Sequence, residues 1–493
     1  MRRKALRQVL ARAMGPRRPG LSILVGASLV LFCLAFVVRS LHGVDLAPLM
    51  YSHEQPGTRM AARYHDAALL HLAGDGWLYP REWPDRSDTA LVSRPPGYPL
   101  VIAATYRIFG PTAFGLVFAQ AVVGSLLPVA LLFLVTRLLG LHAGLLAGLL
   151  ASFDAALAWH TQIVTPDSLG TLLATTVVLL VWRDRWRPGF STVAAGLVLG
   201  AATWLRPNFL LLAPFLAGGL LLLSPRRRRA WLPLGVLLAA ALSVVAPVTV
   251  RNVRVYGAAV PVSTNMGIVL WEGIADAGGT QFGARSHDFE VAAEEARHFD
   301  DPRYASWWAS PYGIRRDRDR MRRSLEVIRA EPLWFAAAAL RRLGPMLDYG
   351  SGGAEWVKPQ QVDGAIHDKA GPRTRDDQRL LAPGRLASPL RGLAGFAQRL
   401  LAASTPWLAL CGIAALAFLA PRRLGLLLLV PLYHLTTQAP LHFEPRFILP
   451  MHPFVLCLAA VGLVAAVSAS AWLLQNGSRG LPADAQAQLL PKR

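Results

Sequence analysis

Apolar residues run almost uninterrupted through about ten stretches of this chain, and the stretches fall into two blocks. The first block predicts helices at Leu21 to Ser40, Phe114 to Val135, Ala143 to Ala158, Ser168 to Val181, Ser191 to Leu205, Phe209 to Leu223 and Trp231 to Val250. The second predicts three more, at Trp407 to Ala420, Leu424 to Leu435 and Ile448 to Ala469. A bilayer core of about 30 Å needs about 20 helical residues, so the shorter stretches must tilt or extend beyond their apolar limits. The fold class that follows is an all-α polytopic membrane protein. Its expected divisions are an N-terminal membrane block over 1–250, including a polar loop over 41–112, and a long polar region over 251–405. A C-terminal membrane block over 406–474 and a tail over 475–493 complete it.

Within the polar regions, Thr58 to Leu72 has helical spacing that puts Tyr64, Ala68 and Leu72 on one face and Asp66 elsewhere. Pro95-Pro96 forbids helix, and an apolar helix is expected to start at Tyr98 and end near Phe109-Gly110. Met321 to Glu331 reads as a helix, Pro332 to Leu347 as an interfacial helix broken by Arg341-Arg342, and Gly350 to Pro383 as a loop.

Composition sharpens this picture through charge. The 493 residues carry a formal net charge of +21. Nucleic-acid binding would need a soluble basic face. The basic clusters instead occupy short segments between apolar runs, at Arg2-Arg3-Lys4, Arg183 to Arg187, Arg226 to Arg229 and Arg422-Arg423. With the N-terminus inside, all of them and the Lys492-Arg493 end fall on the cytoplasmic side, and both long polar regions fall outside. No A-x-A cleavage site follows the first apolar stretch, so an uncleaved span is expected. The 3 cysteines lie within apolar runs and suggest neither a disulfide framework nor a metal site.

Candidate chemistry then gathers at the outer ends. Ser93 to Pro99 and Asp66 lie in the first loop, Pro166-Asp167-Ser168 opens the fourth span, and Arg251-Asn252 follows the seventh. Ser263-Thr264-Asn265-Met266-Gly267 comes soon after, and His442 to Phe447 precedes the last span. Each has a plain alternative as cap, turn or snorkelling arginine. Arginines at an outer interface oppose the positive-inside bias and invite an anionic partner. A transporter would be expected to show inverted repeats and mid-membrane charges, and no repeat is evident.

The order of these motifs resembles the GT-C membrane glycosyltransferases, in particular bacterial relatives of protein O-mannosyltransferases and lipid A aminoarabinose transferases (the glycosyltransferase 39-like group). The matching residues are Tyr64 and Ala68, Pro95 to Pro99, Pro166 to Ser168, Leu205 to Pro207, Arg251 to Gly257 and Pro445 to Pro453. The resemblance implies a GT-C-like helical bundle with extracytoplasmic juxtamembrane helices. It implies a plasma-membrane enzyme, with the inner membrane as its site, taking sugar from a polyprenyl phosphate. The acceptor would be a protein, lipid or glycan on the extracytoplasmic side, and inversion at the anomeric carbon follows from single displacement. A loop carboxylate would act as base and basic residues would hold the departing phosphate.

The family's Asp-Glu before the tyrosine is replaced here by Met60-Ala61. The base is therefore expected at Asp66 or Glu54, with Asp167 as a third candidate, and an inactive member of the group is the remaining reading. Tyr64, Arg94, Tyr98, Arg251, Asn252, Glu444 and Arg446 are the expected substrate-binding residues, with Arg206 either among them or bracing a helix end. His53, His65 and His442 lack ligand spacing and the first loop has no D-x-D, so no metal is expected, and no cofactor beyond the donor.

Overall fold

A computed structural model describes residues 19–46, 56–74, 94–183, 189–224, 227–305, 312–347 and 387–477, with a few before 19. Among these residues every regular element is helical. The N-terminal part comprises α1 (Leu21–Leu46), α2 (Pro56–Leu72), α3 (Gly97–Phe109), α4 (Ala113–Gly124), α5 (Leu126–Leu139), α6 (Leu141–Phe153) and α7 (Ala155–Gln162). It continues through α8 (Asp167–Arg183), α9 (Phe190–Leu205), α10 (Leu212–Leu223) and α11 (Arg227–Tyr256). An outer group follows: α12 (Met266–Asp276), α13 (Asp288–His298), α14 (Gly313–Ala330) and α15 (Pro332–Leu347). The chain closes with α16 (Ala387–Leu419), α17 (Pro421–Gln438) and α18 (His452–Gly477).

Every apolar stretch expected to span is helical, though the boundaries move. Five helical segments are long and apolar enough to cross a bilayer alone: Leu21–Gly43, Phe114–Leu139, Trp231–Tyr256, Pro389–Leu419 and Pro445–Leu474. The pair α6 and α7, bent by 53°, makes a sixth if it is one span, and the apolar helices over α8, α9 and α10 are shorter. The chain is thus a multi-pass membrane protein. The bend has a local cause. Asp154 leaves helical geometry and its carboxylate accepts the Leu157 amide at 2.8 Å, capping a new helix in place of continuing the old one. The first helix of the C-terminal block begins at Ala387, twenty residues before its expected start, because Pro406 is accommodated inside it.

The expected loop over 350–383 and the tail from Gln475 fall mainly outside the described residues, as does Glu54. The outer group packs around its own apolar core of Ile268, Trp271, Ile274, Val291 and Val327. Beside that core lies a solvent-free ion cluster. Glu295 accepts Arg316 Nε at 2.7 Å and Arg320 Nε at 2.6 Å, and all three side chains are buried. Burial pulls the Arg316 guanidinium below its ordinary value against the attraction of Glu295. A buried carboxylate that satisfies two arginines cannot be removed alone, because the charges left behind have no solvent. Glu295→Gln is expected to destabilise the outer group by about 3–5 kcal/mol. Limited proteolysis should then cut within α13 and α14 at lower temperature than in the wild type.

α15 keeps the expected bounds and carries exposed Leu333, Leu340 and Leu347 while burying Ala338 and Met346. Arg342 turns inward and donates to the backbone carbonyls of Gly273 and Ala439, tying the outer group to the end of α17.

Candidate active site

The site is assembled from chain breaks that proline imposes. A residue before proline is pushed out of the α region. Arg206, before Pro207, is extended at φ −143°, ψ 120°, which ends α9 and turns the arginine side chain away from the helix. Glu444, before Pro445, is extended at φ −122°, ψ 140° in the same way. Pro95-Pro96 likewise delays α3 until Gly97. There the backbone passes so close to α9 that a Cβ on Gly97 would lie 2.7 Å from the Trp204 carbonyl oxygen. That approach sets Tyr98 beside the end of α9, next to Arg206 in sequence.

These turns bring six of the expected residues together, along with Arg206. Tyr64 and Tyr98, both buried, meet edge-to-face with ring centroids 5.1 Å apart. The Arg94 guanidinium lies 6.0 Å from the Tyr64 ring centre. Arg446 interacts electrostatically with both Tyr64 and Asp167. Asp167 is 1% exposed and forms an ion pair with Arg206. Arg206 and Arg446 flank one ring, at 5.1 Å and 5.3 Å from the Phe447 centroid. Glu444 braces Arg446 through contacts of 2.5 Å to Nε and 2.7 Å to Nη2.

The other expected residues sit differently. Asp66 lies on α2 where the spacing puts it, off the buried Tyr64 and Ala68 face and exposed to solvent. Its neighbour His65 contacts the Tyr106 hydroxyl at 2.8 Å, and burial pulls the imidazole below its ordinary value against the attraction of Asp66. Asp167, which sequence would also allow as a simple cap, is the first residue of α8 and directs its carboxylate to Arg206. Arg251 and Asn252 have structural partners. Asn252 is fully buried and its amide donates to the carbonyls of Val260 and Val262, pinning the chain after α11. Arg251 donates to Asn252 Oδ1 and lies over Tyr256 at 5.0 Å. The Ser-Thr-Asn-Met-Gly motif is also explained by packing, since Asp317 of α14 accepts the Gly267 amide at 2.9 Å and caps α12.

Sequence reasoning missed Arg39 and His452 inside the apolar runs and His160 just beyond one. His160 interacts with Asp167, Arg446, His452 and Arg206. His452 Nδ1 is 3.8 Å from Asp154. Arg39 is fully buried and donates to the carbonyls of Ala151 and Ser152 at the end of α6, where a cation complements the helix dipole. An ionisable residue inside a spanning stretch is itself the signal that was available. Next to His160 and His452 opens an apolar cavity of ≈ 340 Å³, lined by Trp159, Leu410, Leu432, Phe443 and Val455 and by Met346 of α15. His160, which interacts with Asp167, Arg206 and Arg446, also lines this oily chamber. That pairing suits an amphiphile with an anionic head.

Comparison with known proteins agrees with this architecture. Residues 93–250 match the dolichyl-phosphate-mannose-protein mannosyltransferase family. Among solved structures, the oligosaccharyltransferase AglB of Archaeoglobus fulgidus, in complex with an inhibitory peptide and a dolichol-phosphate, aligns with TM-score 0.50 and 12% identity. The alignment covers 92% of this chain and 52% of AglB, so the chain spans about half the length of that relative. ArnT of Cupriavidus metallidurans bound to undecaprenyl phosphate aligns at TM-score 0.37 and 15% identity, over 94% of this chain and 81% of ArnT. No curated protein sequence matches. Residues 93–250 thus match a protein mannosyltransferase family model, and the chain as a whole shares the helical fold of the AglB oligosaccharyltransferase.

Proposed function

We propose that this protein transfers a sugar from a polyprenyl-phosphate-linked donor to an extracytoplasmic hydroxyl or amine, inverting the anomeric carbon. The observation that carries the reading is the grouping of Arg206 and Arg446 over Phe447, with Arg94 over the neighbouring Tyr64, Asp167 and Glu444 as counter-charges, and an apolar cavity lined by Phe443 and Pro445 on either side of Glu444. Three guanidiniums against two carboxylates leave one positive charge for a phosphate head, and the cavity suits its isoprenoid chain. The acceptor heteroatom attacks the anomeric carbon while a carboxylate takes its proton. The carbon–oxygen bond to phosphate breaks, and polyprenyl phosphate leaves with the electron pair, its head gaining one negative charge. Fixed arginines in a water-poor interface stabilise that growing charge more than they stabilise the donor.

Asp66 is the base in this reading. It sits two residues from Tyr64 on α2, open to an acceptor arriving from outside. Glu54 and Asp167 are the alternatives, and Asp167 is the weaker because Arg206 already occupies its carboxylate. The site faces the extracytoplasmic side of the plasma membrane, with both termini cytoplasmic. Proteoliposomes supplied with polyprenyl-phosphate sugars and envelope acceptors test the stereochemistry. NMR of the product should show the anomer opposite to that of the donor, and retention would contradict single displacement.

A further inference from the structure

Between the outer helices and the candidate site runs a line of side chains that phosphate binding does not itself require. It starts at Asp276, the last residue of α12. Asp276 Oδ2 lies 2.6 Å from His442 Nδ1. His442 Nε2 lies 3.8 Å from Glu444 Oε1, and Glu444 in turn holds Arg446 by two contacts. The backbone supports the same junction: the His442 amide donates to the Val269 carbonyl at 2.8 Å. A Cβ on Gly273 would lie 2.7 Å from the His442 nitrogen, so α12 and this segment touch backbone to backbone.

We propose that His442 is a positioning residue: docked by Asp276 of the outer group, it sets Glu444 and, through it, the Arg446 guanidinium that receives the donor phosphate. This rests on the reading of Arg446 as a phosphate ligand. Arg446 is held at Nε and Nη2 by Glu444 and also interacts electrostatically with Asp167 and Tyr64, so its direction depends on where Glu444 stands. Glu444 would neutralise Arg446 most fully if it had no other cation. A protonated His442 shares that carboxylate and leaves Arg446 more of its charge for phosphate.

The charged groups facing His442 are Asp276, Glu444 and Arg446, and Arg342 of α15 stands near Asp276. Burial alone would lower the imidazole. Contact with Asp276 and Glu444 outweighs it and raises His442 above its ordinary value. The sign is that of a group favoured when charged. Its contribution is complete below the ordinary histidine value of about 6.5 and is lost as pH rises through the raised folded value.

The test is binding of undecaprenyl phosphate to the full-length protein in nanodiscs, for wild type, Arg446→Gln, His442→Gln, Asp276→Asn and Asp276→Glu. Removing an orienting partner behind a liganding group costs about tenfold, and that loss is expected for His442→Gln and Asp276→Asn below pH 6.5, with recovery in Asp276→Glu. The ratio of wild-type to His442→Gln affinity should shrink as pH rises, and titration of the phosphate cancels in that ratio. His442→Gln should add nothing further in an Arg446→Gln background. If Arg446→Gln weakens binding while His442→Gln and Asp276→Asn bind like wild type, the relay is wrong and the donor reading stands. A loss in His442→Gln that is equal at every pH, or that persists in the Arg446→Gln background, also overturns it. Wild-type binding that Arg446→Gln leaves unchanged would overturn both.

Discussion

Asp66→Asn is expected to lower kcat by about 10²–10⁴-fold while leaving donor binding intact, the usual weight of a general base. The substitution keeps shape and hydrogen bonding but cannot accept the acceptor proton. Asp66 is exposed on α2 and its removal breaks no buried pair, so folding should be unaffected and the loss should be purely kinetic. Glu54→Gln is the necessary companion, since Glu54 precedes the same helix. A silent Glu54→Gln with a crippled Asp66→Asn assigns the base. The reverse pattern moves the role to Glu54, and two unaffected variants remove it from the loop altogether. Single-turnover measurements with saturating donor separate this from a binding defect.

Asp167→Asn should behave in the opposite way, damaging stability as well as turnover. The carboxylate is 1% exposed and its partner Arg206 is 15% exposed, so losing the charge leaves a guanidinium in a poorly solvated place. Breaking one half of a buried pair costs about 3–5 kcal/mol. Arg446 and His160 also face this carboxylate, and the cluster would hold surplus positive charge without it. The apparent melting temperature in detergent should fall clearly. Asp167→Asn combined with Arg206→Gln should recover much of that stability, because no lone charge remains, yet should not recover activity. Full activity in the double variant would mean that neither residue serves the reaction.

Much of this architecture was legible before any coordinates. Apolar runs located the helices, and the face shared by Tyr64 and Ala68 on α2 is the buried one. The proline motifs were legible as breaks, but not their consequence: Arg206 and Glu444 become extended and aim side chains at Asp167 and Arg446. Arg251 and Asn252 looked equivalent to Arg446 by position at a helix end. Their roles differ because of their partners: Asn252 donates to the Val260 and Val262 carbonyls and Arg251 to Asn252, whereas Arg446 faces Asp167 and Tyr64. No local pattern distinguishes those environments. His160, Arg39 and His452 went unweighted because apolar neighbours mask a single polar residue in any window average, although burial makes each of them costly.

The claim that Arg446 and its neighbours hold a lipid-linked sugar donor is tested most directly by release of polyprenyl phosphate. Purified protein in liposomes would be offered radiolabelled polyprenyl-phosphate sugars with an envelope extract as acceptor, beside Arg446→Gln. The account predicts that at least one donor is consumed, with sugar appearing on acceptor and a loss of about 10²–10³-fold in the variant. Consumption that proceeds equally well without the Arg446 guanidinium, or wild-type protein that consumes no donor, would contradict it.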